Sequence, residues 1–326
     1  MKIFAFVAVA SVFSFGCSSE PDYIQITGHA QGGVYSVKMN VAGVKVRPAE
    51  IRDSIDAILT HVDTTLSGYN KKSILSKFNA GEQVELNGMF KEMTEIAMAY
   101  YDTTGGALDA ASAPLFDIWG FGFTSDSLPS KERVDSARAL CGMRNPDGYK
   151  KLNFNAIAQG YTSDKVAAYL YSIGVRDMLV DIGEIYCDGV NPKGKPWSIA
   201  IDRPVDGNNS PGADIDGIWR SGSRGAGVVT SGNYRKYYVR DGKKYSHTID
   251  PRTGFPVSHN LLSATIVAPT ATAADAYATY CMVIGLEEAK AFISSRPDLE
   301  AYLIYDNAGE MSEWASPGFN LVKDSF

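Results

Sequence analysis

The 326-residue chain has little of several things that would define a function class. Its four cysteines fit neither a zinc pattern nor a CxxC pair, so they do not indicate a disulfide or zinc scaffold. Basic residues are not in surplus, because 31 Lys and Arg stand against 37 Asp and Glu, and this argues against a general nucleic-acid binder. Neither a Walker loop nor a GxGxxG segment occurs, so any phosphate must be held in another way.

The chain also lacks a hydrophobic run long enough to cross a membrane, with one partial exception at the N-terminus. Residues 3–15 are mostly apolar and are followed by Gly16 and Cys17. Because a membrane-spanning helix needs about 20 residues, this pattern is typical of a signal peptide. We therefore predict a lipoprotein-type signal peptide over residues 1–16, with lipidation of Cys17 after cleavage. The alternative is an ordinary secretory signal with a chance cysteine.

This N-terminal pattern implies a place for the protein in the cell. We expect it to be exported to the periplasmic side and anchored to a bacterial membrane by the lipid on Cys17. Residues 17–29 are then predicted to be a tether, and residues 30–326 to be the folded body. No repeat, linker or low-complexity block divides that body, and its length fits one large domain or about two smaller ones.

Beyond the N-terminus, helical and strand periodicities are mixed without strict βαβ alternation, which favours an α+β fold over a doubly wound sheet. Residues 203–227 are rich in Gly, Asn, Pro and Ser and are predicted to be a long loop, and Asp241-Gly242 is predicted to be a hairpin turn. Predicted helices begin near Pro48, Gly88, Lys131, Ile157, Thr272 and Glu287, and predicted strands cover residues 34–39, 178–181, 195–202, 262–268 and 301–305.

Two oxygen-bearing side chains lie one helical turn apart in residues 273–279. Asp275 and Thr279 are at positions i and i+4, so both oxygens face the same side of a helix. A carboxylate and a hydroxyl, completed by carbonyl and phosphate oxygens, suit Mg²⁺. The same spacing is more often a helix cap followed by a satisfied hydroxyl, and spacing alone does not separate the two.

Other segments carry groups that suit a phosphate ester or a flat ligand. His247 stands just before the tight turn of residues 250–254, where an imidazole can act as a general base near neutral pH. The helix that opens within residues 155–161 presents free N–H groups that suit phosphate oxygens. Tyr69 and the aromatics of residues 119–123 can stack on a flat ligand. Each feature has a structural alternative: a hydrogen-bonded histidine, a plain helix start, or core packing.

In this order along the chain, these segments resemble those of one family, the FAD:protein FMN transferases, also called ApbE. The resemblance covers about residues 30–305. The matching segments are Leu66-Ser67-Gly68-Tyr69 with Ser73 and Phe78-Asn79; Gly106-Ala107-Leu108-Asp109 with Pro114-Leu115 and Trp119-Gly120-Phe121-Gly122; Asn155-Ala156-Ile157-Ala158-Gln159-Gly160-Tyr161; Thr230-Ser231-Gly232-Asn233-Tyr234; His247-Thr248-Ile249-Asp250-Pro251-Arg252-Thr253-Gly254-Phe255-Pro256; and Ala274-Asp275-Ala276-Tyr277-Ala278-Thr279.

The resemblance implies a fold, an activity and partners. It implies a single large α+β domain, related to the T-fold, with mixed, mainly antiparallel sheets and flanking helices. Residues 30–326 would be this flavin transferase domain. Such enzymes are often exported lipoproteins that bind FAD and Mg²⁺ and transfer the FMN half to a Thr or Ser hydroxyl of an acceptor protein, releasing AMP. The expected partners are therefore FAD, an acceptor flavoprotein and, through the lipid anchor, a membrane, with no nucleic acid.

Carried over onto the matching positions, the resemblance implies a role for each site residue. His247 would be the general base that deprotonates the acceptor hydroxyl. Mg²⁺ would be held by the carbonyl of Ala156 and the side chains of Asp275 and Thr279, with Ala278 adjacent. FAD would contact Gln31, Tyr69, Ala107, Leu108, Asp109, Asn153, Gln159 and Ile249.

The chain departs from the family pattern at a few of these positions. Gln159 stands where many relatives have Lys, Asn153 where Asp is usual, Gln31 where Met is usual, and Gly183 is single where two glycines are usual. Two other functions are open: an FAD-binding or storage lipoprotein without transfer, and a Mg²⁺-dependent FAD pyrophosphatase. Because His247, Asp275 and Thr279 are all present, an enzyme is favoured over a binder, and FMN transfer is the predicted activity.

Overall fold

The structure is a computed structural model that describes residues 21–121, 128–208, 210, 212–234, 237–240 and 243–323. The helices are α1 (Pro48–Leu66), α2 (Ile74–Asn79), α3 (Gly88–Thr103), α4 (Ala113–Ile118), α5 (Lys131–Arg138), α6 (Ala158–Ser172), α7 (Ala271–Ile284) and α8 (Leu286–Ser294). The strands are β1 (Tyr23–Ala30), β2 (Gly33–Asn40), β3 (Met178–Asp181), β4 (Ile185–Asp188), β5 (Ser198–Asp202), β6 (Ile215–Arg220), β7 (Ala226–Gly232), β8 (Tyr237–Arg240), β9 (Lys243–Ser246), β10 (Ile249–Asp250), β11 (Phe255–Pro256), β12 (Leu261–Ala268), β13 (Glu300–Asn307), β14 (Glu310–Ala315) and β15 (Leu321–Val322).

The main sheet has eight strands in the order β1-β2-β3-β4-β7-β12-β13-β14. Every neighbouring pair in it is antiparallel. Within the described residues, three small antiparallel sheets accompany it: β15-β6-β5, β8-β9 and β10-β11. Helices flank these sheets within one domain, so the predicted α+β class with mainly antiparallel strands is confirmed.

The central helix α7 packs against β7 and β12 of the main sheet and against α6. It is rich in alanine and is buried along most of its length. Small side chains on a helix let neighbouring backbones approach closely, and this close approach positions the candidate site. The longer helix α1 is amphipathic and buries Ile51, Ile55, Leu59, Val62 and Leu66.

The predicted tether over residues 17–29 is wrong in its second half. Residues 23–30 form β1, which pairs with β2 from Tyr23↔Asn40 to Ala30↔Gly33. The cause is a period-2 pattern, because Ile26 is buried while Gln25 and Thr27 on either side of it are exposed. The folded domain therefore begins at Tyr23 and not at residue 30.

The predicted loop over residues 203–227 is also wrong in part, because it contains β6 and the start of β7. Gly217 lies inside β6, where a Cβ atom would come within 2.7 Å of Leu321 Cδ1. This glycine permits close packing with β15 and does not break the strand. The predicted Asp241-Gly242 turn lies outside the described residues, although β8 and β9 on either side of it do pair.

Among the residues that the structure describes, no helix is both long and apolar enough to cross a membrane.

Candidate active site

The start of α6 packs closely against α7 at Gly160, which has no side chain of its own. Gly160 is buried, and a Cβ there would lie 2.3 Å from the carbonyl oxygen of Ala271 and 2.9 Å from Cβ of Asp275. The N–H of Gly160 donates to Oδ2 of Asp275 (3.0 Å). Two motifs that are far apart in sequence, residues 155–161 and 274–279, thus meet at a single glycine.

This hydrogen bond satisfies one of the free N–H groups at the start of α6. The N-cap of α6 is Ile157, so the N–H of Gly160 has no acceptor within the helix and donates to Asp275 instead. Ala156 precedes the N-cap, and among the described residues no donor is hydrogen-bonded to its carbonyl. In the same part of the structure, the hydroxyl of Thr279, one turn after Asp275, has no hydrogen-bond partner. A carbonyl, a carboxylate and a hydroxyl are therefore open to a ligand.

The N-terminus of α7 is fixed from two directions. From α6, the carboxylate of Asp164 accepts the N–H groups of Ala271 and Thr272 (2.8 Å each) and the hydroxyl of Thr272 (2.5 Å). From β7, Gly227 approaches so closely that a Cβ would lie 2.3 Å from Cα of Ala271. Packing and charge-assisted hydrogen bonds together set the position of Asp275.

Near the contact between α6 and α7, the ionised form of the buried carboxyl groups is disfavoured. Burial raises the pKa of Asp275, and the nearby Asp164 raises it further, whereas the Gly160 N–H lowers it. The pKa of Glu184 is raised well above its usual range by burial and by the charges of Asp275 and Asp181. A cation beside these groups would offset both burial and mutual repulsion. The oxygen donors and this electrostatic setting together fit a hard divalent cation such as Mg²⁺.

Ala278 lies in the buried core formed by α7, β12 and β13. Its methyl group has no ligating atom, so any contribution to a metal site comes from its backbone. Asp275 and Thr279 are therefore the side chains of α7 that fit the predicted metal role.

Gln31 lies against α6, and Gln159 belongs to the first turn of that helix. Gln31 adopts a left-handed backbone conformation (φ 51°), and its Nε2 donates to the hydroxyl of Thr162 (2.6 Å). The side-chain amide of Gln159 lies over the β3–β4 turn, where a Cβ on Gly183 would be 2.6 Å from its Nε2. Gly183 has φ 95°, so this one glycine provides both the turn and the space for Gln159.

The predicted FAD-binding segment 107–109 is buried and lies near the segment that precedes α6. Asp109 accepts the N–H of Ala111 at Oδ1 (2.9 Å) and that of Gly142 at Oδ2 (2.8 Å). Burial nevertheless raises its pKa to about 6. The N–H of Asn153 donates to the carbonyl of Ala110 (2.7 Å), which joins the two segments. The side chains of Ala107 and Leu108 are buried in the protein.

Tyr69 differs from these residues because its side chain is exposed (69%). It lies in the loop between α1 and α2, which is held by hydrogen bonds from Ser73 Oγ to the carbonyl of Ser67 (2.6 Å) and from Asn70 Nδ2 to Asp63 (2.6 Å). A large exposed ring on a braced loop suits stacking on a flat ligand.

His247 lies between β9 and β10, in the region of the small hairpins. Its ring contacts that of Phe121 with centroids 6.4 Å apart. Ile249, two residues later, is buried against Leu115 and Trp119, so only its backbone is available to a ligand. The indole N–H of Trp119 donates to the carbonyl of Gly254 (2.8 Å) and ties α4 to the β10–β11 turn.

Sequence reasoning missed the residues that hold the site together. Gly160 was part of a recognised segment, but nothing in its neighbourhood predicts a contact with α7. Asp164 carried no signal, because an acidic residue within a helix is ordinary. The contacts of both residues depend on tertiary packing.

Comparison with known proteins identifies the family of the chain. The family model described as the ApbE family matches residues 32–303, and the chain belongs to that family. The chain is 32% identical to the FAD:protein FMN transferase of Escherichia coli strain K12, over 95% of this chain and 94% of that one. It is 32% identical to the protein of the same name from Salmonella typhimurium, over 98% and 97% of the two chains.

Solved structures give the same result. The flavin transferase ApbE from Vibrio cholerae superposes with a TM-score of 0.78 at 30% identity, over 91% of this chain and 98% of that one. The apo form of the Pseudomonas stutzeri flavinyl transferase ApbE gives a TM-score of 0.77 at 31% identity, over 91% and 95%. The family and fold predicted from the sequence are therefore confirmed.

Proposed function

We propose that this chain transfers the FMN half of FAD to a Thr or Ser hydroxyl of an acceptor protein, with the aid of Mg²⁺. The observation that carries the proposal is the hydrogen bond from Gly160 to Asp275, which joins the segment that contains Ala156 to a buried carboxylate of α7. The names of the similar proteins support the same reaction, because they are FAD:protein FMN transferases.

The residues present fit a magnesium ion. Ala156, Asp275 and Thr279 would hold it, and it would supply charge neutralisation for the pyrophosphate of FAD. Tyr69 is proposed to stack on a ring of FAD, and Gln31, the 107–109 segment, Asn153, Gln159 and the backbone of Ile249 to contact the rest of it. Gln159 is uncharged, so it can donate hydrogen bonds to a phosphate but adds no positive charge.

The proposed chemistry is one displacement at phosphorus. His247 takes the proton of the acceptor hydroxyl as the hydroxyl oxygen attacks the phosphorus on the FMN side of the pyrophosphate. A phosphoester bond to the acceptor forms, the bond to the bridging oxygen breaks, and AMP leaves with that oxygen. If water attacks instead, the products are free FMN and AMP.

We further propose that the chain is exported as a lipoprotein, with residues 1–16 removed and Cys17 lipidated. Residues 1–20 lie outside the described part of the structure, so the support is the sequence pattern alone. Mass spectrometry of the N-terminal peptide from full-length protein made in bacteria tests this proposal. A diacylated or triacylated Cys17 is expected, and Cys17→Ser should abolish membrane association. An unmodified N-terminus, or a cleaved one with a free thiol, would contradict it.

The transfer proposal is tested with purified protein, FAD, Mg²⁺ and an FMN-binding acceptor domain that contains a Thr acceptor site. We expect a covalent mass gain of one FMN on the acceptor, together with release of AMP. Removal of Mg²⁺ by EDTA should stop the reaction, and Mg²⁺ in excess should restore it. His247→Ala should lower the rate by about 10²- to 10⁴-fold, because a positioned general base contributes that much.

The matched control is His61→Ala, since His61 is an exposed histidine on α1 and is not part of the site. This variant should transfer FMN at the wild-type rate. Free FMN that forms equally fast with and without acceptor would instead identify a pyrophosphatase. Bound but unchanged FAD under every condition would identify a binding protein, and absence of FAD binding would rule out all three functions.

A further inference from the structure

Asn233 lies directly after β7 and contacts both residues that flank His247. Its Oδ1 accepts hydrogen bonds from the hydroxyl of Ser246 (2.6 Å) and from the hydroxyl of Thr248 (2.7 Å). The N–H of Thr248 also donates to Oγ of Ser246 (3.0 Å). The residues on both sides of His247 are therefore hydrogen-bonded through their hydroxyl groups to one amide oxygen.

Asn233 is itself attached to the main sheet. Its N–H donates to the carbonyl of Leu262 in β12 (3.1 Å), at the point where the β7–β12 ladder ends with Ser263↔Gly232. The strand β12 continues directly into α7, which carries Asp275 and Thr279. Asn233 thus connects the small hairpin region, where His247 lies, to the strand that leads to the oxygen donors.

The bonds made by Asn233 constrain the backbone more than they contribute to the core. Ser246 is buried and Asn233 and Thr248 are partly exposed, so removal of the amide opens no large cavity. Beyond these bonds, the backbone after His247 is held by the N–H of Val257, which donates to the carbonyl of Thr248 (3.0 Å). Loss of the amide would leave the chain folded, but with one attachment fewer on either side of the imidazole.

We propose that Asn233 is a positioning residue for His247, which it holds at a fixed place relative to the oxygen donors on α7. This inference rests on the proposed role of His247 as a general base. Asn233 acts only through the backbone of residues 246–248 and does not itself react. A shift of about 1 Å in a catalytic group can lower a rate by about 10²-fold, so the role is measurable.

The first test compares Asn233→Ala with a matched control, Asn260→Ala. Asn260 is an exposed asparagine next to β12 whose Nδ2 donates to the carbonyl of Asp306 (2.9 Å), away from His247. Asn233→Ala should lower kcat for FMN transfer by about 10- to 100-fold, with little change in FAD affinity or Tm. Asn260→Ala should retain the wild-type kcat. A wild-type kcat for Asn233→Ala, or a parallel loss of FAD affinity, would overturn the proposal.

Two further variants separate positioning from a general structural effect. Asn233→Asp keeps an acceptor oxygen for both hydroxyls and should recover most of the lost kcat. Because its added negative charge favours the protonated imidazole, the acidic limb of the pH–rate profile should move to higher pH. Ser246→Ala combined with Thr248→Val removes the two donors and should reproduce the loss of kcat. No recovery in the first variant, or wild-type kcat in the second, would contradict the role of the Asn233 oxygen.

A readout without turnover makes the result independent of the proposed reaction. The ring signals of His247 in the NMR spectrum of the free protein should shift and broaden in Asn233→Ala but stay unchanged in Asn260→Ala. If wild-type protein fails to transfer FMN yet this shift is seen, the proposed function is wrong and the positioning contact is correct. If transfer occurs and the His247 signals are unaffected by Asn233→Ala, the positioning role is wrong.

Discussion

The two halves of the candidate site are held in place by different means. The inner half comprises Ala156, Gly160, Asp275 and Thr279, where two helices and a strand meet with glycines at the contacts. The outer half comprises Asn233 and residues 246–249, which lie among short hairpins and are joined by side-chain hydrogen bonds. Packing positions the inner half, whereas hydrogen bonds position the outer half.

The two halves should therefore respond differently to mutation. Close-packed interiors cannot absorb an added methyl group, so steric changes in the inner half should affect folding of the whole domain. Hydrogen-bonded backbone near the surface opens locally at low cost. Changes in the outer half should therefore affect rate and local mobility before they affect global stability.

The largest effect is expected for Asp275→Asn, which separates chemistry from packing within the inner half. The amide keeps an oxygen for the Gly160 N–H but removes the buried negative charge, so stability should be retained or increased. FMN transfer should fall by about 10³-fold, because the cation site loses its carboxylate.

The check combines transfer rates with thermal melting, with and without Mg²⁺. Wild-type protein should gain stability on addition of Mg²⁺, and Asp275→Asn should not. A variant that melts far below wild type without Mg²⁺, or that keeps its response to Mg²⁺, would show that Asp275 acts in packing only.

The next effect is expected for Gly160→Ala, which adds one methyl group at the contact between α6 and α7. The new Cβ would lie 2.3 Å from the carbonyl oxygen of Ala271, so the helices must separate. We expect a loss of about 3 kcal/mol in the free energy of unfolding.

Urea denaturation of Gly160→Ala and Gly88→Ala measures this. Gly88 is the first residue of α3 and has no atom near its Cβ position, so both variants place alanine in the first turn of a helix. Gly88→Ala should change stability by less than about 0.5 kcal/mol. Equal effects in the two variants would mean that the close contact at Gly160 has no energetic importance.

The third prediction concerns Asp109, which is also positioned by burial. Its pKa is raised to about 6 by burial, so the folded state favours the protonated form. This contribution is complete below the unfolded pKa of about 4 and is lost as the pH rises through 6. Stability should fall by roughly 3 kcal/mol over that window from this group.

Unfolding free energies between pH 4 and 7 test the prediction for wild type and Asp109→Asn. The variant should lose most of the pH dependence from this group, although an amide in place of the carboxylate makes it less stable throughout. Asp147→Asn at an exposed position is the control and should keep the wild-type slope. An identical slope in all three proteins would exclude Asp109 as the titrating group.

The smallest effect is expected for Trp119→Phe, at a residue that packs against Ile249 of the outer half. The variant loses the hydrogen bond from the indole N–H to the carbonyl of Gly254, which costs about 1 kcal/mol. Amide exchange should accelerate in residues 249–256 and remain slow in α7. Uniform acceleration throughout the domain would show that the outer half does not open independently.

Some elements of the fold could be predicted from the sequence because their patterns involve only neighbouring residues. The apolar spacing in α1 is a property of neighbouring residues. The alternation in β1 was equally local, but it was assigned to the tether. In β6, the signal was masked by Gly217, whose packing against Leu321 depends on a segment about a hundred residues away.

The site divides in the same way. The family resemblance predicted site roles for Asp275, Thr279 and His247 because each of them lies in a continuous sequence motif. The resemblance predicted no structural role for Gly160 or Asn233. Both residues act through contacts with residues that are distant in sequence. Such roles become visible only when the partners are in place.

The early start of β1 has a consequence for where an anchored enzyme can work. With the proposed lipid at Cys17 and the first strand beginning at Tyr23, residues 18–22 are the whole connection. Fully extended, five residues reach about 17 Å, which is shorter than the domain is wide. Such an enzyme would sample only a thin layer above the bilayer. The height at which an acceptor presents its hydroxyl would then select substrates, alongside the sequence around that hydroxyl.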